Sequence, residues 1–335
     1  MEIRSAIGAM QMLRLPRRHL FPLAAGAAAL PIASRLAKAQ SYPSRPVHII
    51  VTVPAGNGPD TIARLVGQGL SERLGQSFVV ENRPGAAANM GIEYVVRAAN
   101  DGYALLLITA SALTNATLYK DLSFNLVRDI APFASIGRTR FIMVVTPSLP
   151  VKTIPEFIAY AKANPGKVNM ASTGVGSSNH VFGALFQMMT GVQLVHVPYR
   201  NSLMPDLLSG QVQVYFGPTT SAIDFVRSGK LRVLGVTTPA RLAMLPDVPA
   251  VAEFVPGYEA AGWNGIGAPK GAPADVITRL NSTINAVVAD PKAKARFDDL
   301  GFEPVSMTPD EYGSLIAAET EKWAKVIEFA HIKAD

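Results

Sequence analysis

Short runs rich in β-branched residues alternate with amphipathic helical patterns along most of the chain, and no other feature constrains its fold so tightly. Such alternation is the signature of an α/β protein built on mostly parallel strands. Residues 47–53, 78–80 and 104–108 read as strands, with helical spacing of apolar residues over 62–74 and 90–99 between them. The pattern then repeats. Strands are expected over 168–172, 194–198, 212–216 and 231–237, and helices over 179–189, 205–208 and 221–227. The last seventy or so residues read as helical, over 274–289, 291–300 and 309–332. Two long segments, 133–145 and 258–268, have the Gly and β-branched content of strands passing between two such units. The expected assembly is a two-lobed clamshell with a double crossover. One lobe takes in residues 40–142 plus 262–335 and the other residues 143–261.

The first 39 residues stand apart from this pattern. Arg14, Arg17 and Arg18 precede an Ala-rich apolar run, and Ala37-Lys38-Ala39 forms an A-x-A site ahead of Gln40. This segment reads as an export signal cleaved after Ala39, and Arg17-Arg18-His19-Leu20-Phe21 resembles the twin-arginine motif. The apolar run is shorter than the roughly 20 residues that span a bilayer, so the chain is expected not to be membrane-spanning. Met10 or Met12 reads as the true start.

Composition narrows the function. The leading 39 residues hold six basic residues against Glu2, so they carry five of the six formal positive charges. The remaining 296 residues have 25 basic and 24 acidic side chains and no basic cluster, which sets nucleic-acid binding aside. The chain is 49% apolar and has no cysteine, so no disulfide or thiolate site is available. Four histidines remain beyond the leader, without metal-binding spacing, and no cofactor is expected.

Three strand-to-helix junctions are rich in small residues: Pro54-Ala55-Gly56-Asn57-Gly58, Arg83-Pro84-Gly85-Ala86-Ala87-Ala88, and Thr173-Gly174-Val175-Gly176-Ser177-Ser178. In open α/β sheets ligands settle outside the carboxyl ends of strands, where these loops lie. Helix N-termini there present unpaired N–H groups to an anion, and small residues let it approach the backbone. A hydrogen bond to a charged group contributes roughly 1.5–3 kcal/mol, while micromolar affinity needs about 8 kcal/mol. Several such bonds could hold a carboxylate without a lysine or arginine.

These loops, together with Val197-Pro198-Tyr199-Arg200 and Leu208-Ser209-Gly210-Gln211-Val212, resemble those of the substrate-binding proteins of tripartite tricarboxylate transporters, the Bug receptors. The resemblance runs from about Tyr42 to the C-terminus. It implies a type II periplasmic binding-protein fold, a small carboxylate held between the lobes, and delivery to a membrane permease. It further implies a monomer working in the periplasm of a Gram-negative bacterium. By position, the backbone of Ala55, Gly56, Asn57 and Gly58 and that of Gly85, Ala86, Ala87 and Ala88 would cradle one carboxylate. Ser111, Ser177, Ser178 and His180 would line the other side, with Tyr199 and Asn201 close by. The chain departs from the family pattern where Asn57, Ala87, Ala88 and Asn201 replace glycines, and where Gly217 replaces a frequently acidic residue. The last change argues for a ligand without a cationic amine.

Asp60 reads as a helix cap beside the site rather than a ligand contact. Arg83 reads as a residue that fixes its loop and His196 as core, while Tyr199 and Trp263 are open between closing over a ligand and plain core. His180 is open between ligand contact and capping. Ser177 or Ser178 with His180 and Asp206 has the residue types of an acyl-transfer triad, but no G-x-S-x-G elbow accompanies them. The chain is therefore expected not to be an enzyme. A receptor of the same fold that reports to a two-component sensor is the alternative to uptake. For the leader, N-terminal sequencing of the exported protein should begin at Gln40; a peptide containing Glu2 in the uncleaved form would overturn the later start.

Overall fold

The computed structural model describes residues 42–119 and 121–334, so the expected export signal lies outside the described residues. The chain begins with β1 (Val47–Val51), α1 (Gly58–Leu74), β2 (Phe78–Asn82), α2 (Asn89–Val96), β3 (Ala104–Ile108) and α3 (Ala110–Leu118). β1 pairs in parallel with both β2 and β3, which puts the carboxyl ends of all three at one edge. The short α4 (Leu126–Asp129) leads into β4 (Ile130–Thr139), the outer neighbour of a strand that arrives much later in the sequence.

After the single residue Arg140 the chain enters a second sheet as β5 (Phe141–Val145). There follow α5 (Ile154–Ala163), β6 (Val168–Ser172), α6 (Ser178–Thr190), β7 (Leu194–Pro198), α7 (Met204–Ser209), β8 (Val214–Pro218), α8 (Thr219–Arg227) and β9 (Arg232–Val236). The return strand β10 (Gly262–Pro269) rejoins the first sheet, and the chain ends with α9 (Ala274–Val288), α10 (Pro291–Asp299), β11 (Phe302–Pro304) and α11 (Pro309–Phe329). The strand orders are β2-β1-β3-β10-β4-β11 and β7-β6-β8-β5-β9. Each sheet thus has three parallel strands followed by an antiparallel strand contributed from the other side.

The two crossings lie against each other. The Thr237 N–H donates to the Phe141 carbonyl at 3.0 Å, the Ala260 N–H donates to the Thr237 carbonyl at 3.0 Å, and the Thr237 hydroxyl donates to the Ala260 carbonyl at 2.6 Å. Arg140 is held at both backbone ends, its N–H by the Gly301 carbonyl and its carbonyl by the Thr219 N–H, while its guanidinium reaches Asp298 at 3.0 Å. Beside it, Arg138 forms a two-point contact with Glu303 and also reaches Glu259. Gly137 has φ +149°, and a Cβ there would stand 2.0 Å from the Glu303 carbonyl oxygen, so the close seating of β11 on β4 requires glycine.

The double crossover is as expected from the sequence, and the element boundaries differ by a few residues. α3, α5 and β11 were not anticipated. The residues of α3 set no single apolar stripe, and a three-residue strand leaves no periodic signal. Among the described residues no helix is long and apolar enough to cross a membrane.

α11 joins the two halves of the core. Thr308 and Glu311 form a capping box at its start, with the Thr308 N–H donating to Glu311 at 2.8 Å. Beyond that cap the helix packs against α3, β4 and α6. Trp323, 1% exposed, stacks on Phe182 of α6 with ring centroids 5.1 Å apart, and Phe182 meets Phe141 edge-on at 4.8 Å. The indole N–H donates to the buried Glu319 carboxylate at 2.8 Å, which also pairs with Lys322. Trp323→Ala removes this packing and the donor together. It should cost about 3–5 kcal/mol in urea unfolding, against under about 0.5 kcal/mol for the exposed Lys325→Ala.

Candidate functional site

The carboxyl ends of β1, β2 and β3 face the loop after β6 across a cavity of about 300 Å³. The first loop contributes Thr52, Val53 and Pro54, and the second Pro84, Gly85 and Ala88. Ser111, Asn115 and Leu118 of α3, with Tyr119, form another wall, and Val175, Gly176 and Ser177 close it from the second sheet. A Cβ on Gly176 would lie 2.5 Å from the Leu118 side chain, which shows how closely the two sides approach. Among the described residues no lining side chain is charged. The polar groups are hydroxyls, one amide and the first turns of α3 and α6, whose leading N–H groups have no partner within their own helix.

The first loop is anchored by Asp60, which is 2% exposed. It accepts from the Gly56 N–H at 2.8 Å, Arg64 Nε at 3.0 Å and Asn82 Nδ2 at 2.8 Å. Asn82 Nδ2 also donates to the Val53 carbonyl, so the end of β2 and the start of α1 are tied through one carboxylate. Burial opposes ionisation of this group, but the hydrogen bonds from Arg64, Gly56 and Asn82 outweigh it and hold its pKa below the usual range. The expectation of a plain N-cap is corrected here. Asn57 occupies the N-cap without a side-chain cap bond, and Asp60, two residues into α1, reaches back to Gly56.

In the second loop Gly85 has φ +130°, and Ala86 and Ala88 have φ +43° and +82°. Left-handed backbone costs an alanine roughly 1–2 kcal/mol, a strain kept here at a site where the Ala88 methyl faces the cavity. Arg83 pairs with Glu81 at 3.1 Å and stacks over the Tyr94 ring, fixing the loop as expected. Behind the wall Asn115 Nδ2 donates to Asn89 Oδ1 at 2.8 Å, which links α3 to α2.

Four of the residues named from sequence, Gly85, Ala88, Ser111 and Ser177, lie together on this cavity. Ala55, Gly56, Asn57 and Gly58 form the exposed loop beside it, and the Gly56 amide is occupied by Asp60. Ala86 is exposed, the backbone of Ala87 lies in a single 3₁₀ turn, and Ser178 opens α6 just off the lining. His180 is buried behind the third loop, where its Nδ1 accepts from the Gly176 N–H at 3.2 Å. Tyr199 donates to Asp206 at 2.7 Å, and burial with that carboxylate pushes its phenol up to about 12. Asn201 is exposed. Trp263 is core at the crossover, under the Arg138 guanidinium. His196 is half-buried and polar-bonded rather than plain core, its Nε2 lying 2.6 Å from Ser172 Oγ. The acyl-transfer alternative has no geometry behind it, since Ser177 Oγ donates to Gly174, His180 Nδ1 takes an amide and Asp206 holds Tyr199. Thr52 and, on the α3 wall, Asn115 and Leu118 carry no glycine-rich signature, and of that helix the sequence pointed to Ser111 alone.

Residues 62–332 match the family described as tripartite tricarboxylate transporter family receptor. The chain belongs to this family. Protein BugT of Bordetella pertussis is 34% identical over 86% of this chain and 90% of its own. A protein from the tcbD-tcbE intergenic region of Pseudomonas sp. (strain P51) is 34% identical over 88% and 89%. Among solved structures, Rpa4515 of R. palustris with adipate is 34% identical, with a TM-score of 0.75 over 87% of this chain and 99% of that one. MatC (Rpa3494) of Rhodopseudomonas palustris with bound malate is 25% identical, with a TM-score of 0.70 over 85% and 100%. The fold is that of the periplasmic binding proteins, and the family and these neighbours are substrate-binding proteins rather than enzymes.

Asp60→Ala leaves the Gly56 amide, Arg64 and Asn82 without their common acceptor. It should cost about 2 kcal/mol and speed hydrogen exchange of the 55–58 amides. Because the folded pKa is lowered, this share of stability is present above about pH 4 and lost as pH falls below it.

Proposed function

We propose that this chain is a periplasmic solute receptor that closes its two sheets around a small dicarboxylate lacking an amino group and hands it to a membrane permease. The observation that carries the reading is the cavity itself, lined by hydroxyls, an amide and helix starts, with no charged side chain among the described residues. Helix N-termini and backbone amides favour an anion without a countercharge. Its volume of about 300 Å³ is at the small end for ligand pockets and suits a short dicarboxylate such as the adipate or malate held by the two neighbours.

An ammonium group would need an acceptor of opposite charge, and among the described residues none that lines the cavity is acidic. Position 217 cannot supply one, since a Cβ on Gly217 would fall 1.9 Å from the Tyr215 ring. The paired crossings at Arg140 and Thr237 are where a hinge would lie, and preference of the ligand for the closed form would drive closure.

Calorimetric titration tests the reading. Adipate, succinate or malate should bind, and at 100 times the dissociation constant should add about 2.7 kcal/mol of stability. Ser111→Phe, which fills the cavity, should abolish the heat. Binding of aspartate or glutamate without any unsubstituted dicarboxylate would overturn it.

A further inference from the structure

Behind the loop that closes the cavity from the second sheet, two imidazoles lie face to face. His180 in the first turn of α6 and His196 on β7 have ring centroids 3.4 Å apart and planes 8° from parallel. His180 Nδ1 accepts the Gly176 N–H, so that nitrogen carries a lone pair and the ring is neutral with its proton on Nε2. His196 Nε2 lies 2.6 Å from Ser172 Oγ, and that hydroxyl donates to the Gly174 carbonyl at 3.0 Å and accepts the Gly174 N–H at 3.1 Å. Gly174 and Gly176 have φ of +132° and +73°, conformations open to glycine without steric cost but not selected by it, so the bonds that reach the segment decide which it keeps. Both are held from the histidine side, and between them Val175, with Gly176 and Ser177 after it, faces the cavity.

We propose that His180, backed by His196, is the positioning residue of this loop, and that it holds the ligand-receiving form only while both rings are neutral. A proton on Nδ1 would replace the acceptor facing Gly176 with a donor. A second charge would then face the first across the stack. Among the described residues the surrounding elements offer no free acid: α11, which packs on α6, has its buried Glu319 engaged by Trp323 and Lys322. α6 carries no other titratable side chain and β6 none; β8 carries only Tyr215, and beyond β7 Tyr199 is engaged with Asp206 while Arg200 is exposed. Burial, reinforced by His196, depresses His180 to about 3, and burial depresses His196 to about 4. With folded values below the free value of about 6.5, the held loop is fully stable above that pH and loses stability as pH falls toward 4. Ligand affinity should fall with it.

The inference rests on the carboxylate reading of the cavity, and the test separates the two. Adipate affinity is measured by calorimetry from pH 7.5 to 5.0 for the wild type, His180→Asn and His180→Ala. Asn places an oxygen acceptor near the position of Nδ1 but does not titrate. The wild type should lose on the order of tenfold in affinity across this range beyond what the Asn variant loses, since protonation of adipate itself is common to both. His180→Ala should bind weakly at every pH, with the Asn variant restoring affinity at pH 7.5. Parallel pH profiles for wild type and Asn variant would overturn the proposal. If the wild type binds no adipate at pH 7.5, the loop is followed by NMR instead. A Gly176 amide shift that tracks the His180 titration upholds the positioning role, and a Gly176 amide indifferent to it overturns that role.

Discussion

Each sheet holds near its centre a strand that the chain has sent across from the other. β5 is flanked by β8 and β9, and β10 by β3 and β4, antiparallel in every case. Neither sheet is complete without the other's contribution, so the two βα units cannot be separated into independent folding pieces. The same exchange brings the carboxyl ends of β1, β3 and β6 to one cavity. With only Arg140 between β4 and β5, and Thr237 bonded to both Phe141 and Ala260, the crossings form one hydrogen-bonded joint. Every wall of the site is positioned relative to that joint.

The chemistry of the cavity follows from what the loops lack. The charged groups nearby are paired within the scaffold: Asp60 with the Gly56 amide, Arg64 and Asn82, and Arg83 with Glu81. Charge fixes the loops, and neutral dipoles are left to face the cavity.

Much of this could be read from residue patterns. Parallel strands announce themselves as β-branched runs, and the three small-residue junctions mark where those strands end. What could not be read depends on tertiary contact. α3 has the sequence ASALTNATL, whose helix is defined by packing on α2, α11 and the second loop rather than by its own stripe. Asp60 looks like a cap because aspartate favours that place. Only the fold shows that Asn82, 22 residues on, shares its carboxylate. His180 and His196 are 16 residues apart, and nothing local in either segment foretells their stacking.

α11 reaches α3 on one side of the cavity and α6 on the other. Any motion that parts α6 from α11 must slide Phe182 off the face of Trp323 and expose both rings to water. Aromatic pairs of this kind are worth about 0.5–1.5 kcal/mol beyond the area they bury. The C-terminal helix therefore ties the two sides of the cavity together through an aromatic contact set apart from the cavity lining, so that parting them carries a cost fixed in the core rather than in the loops.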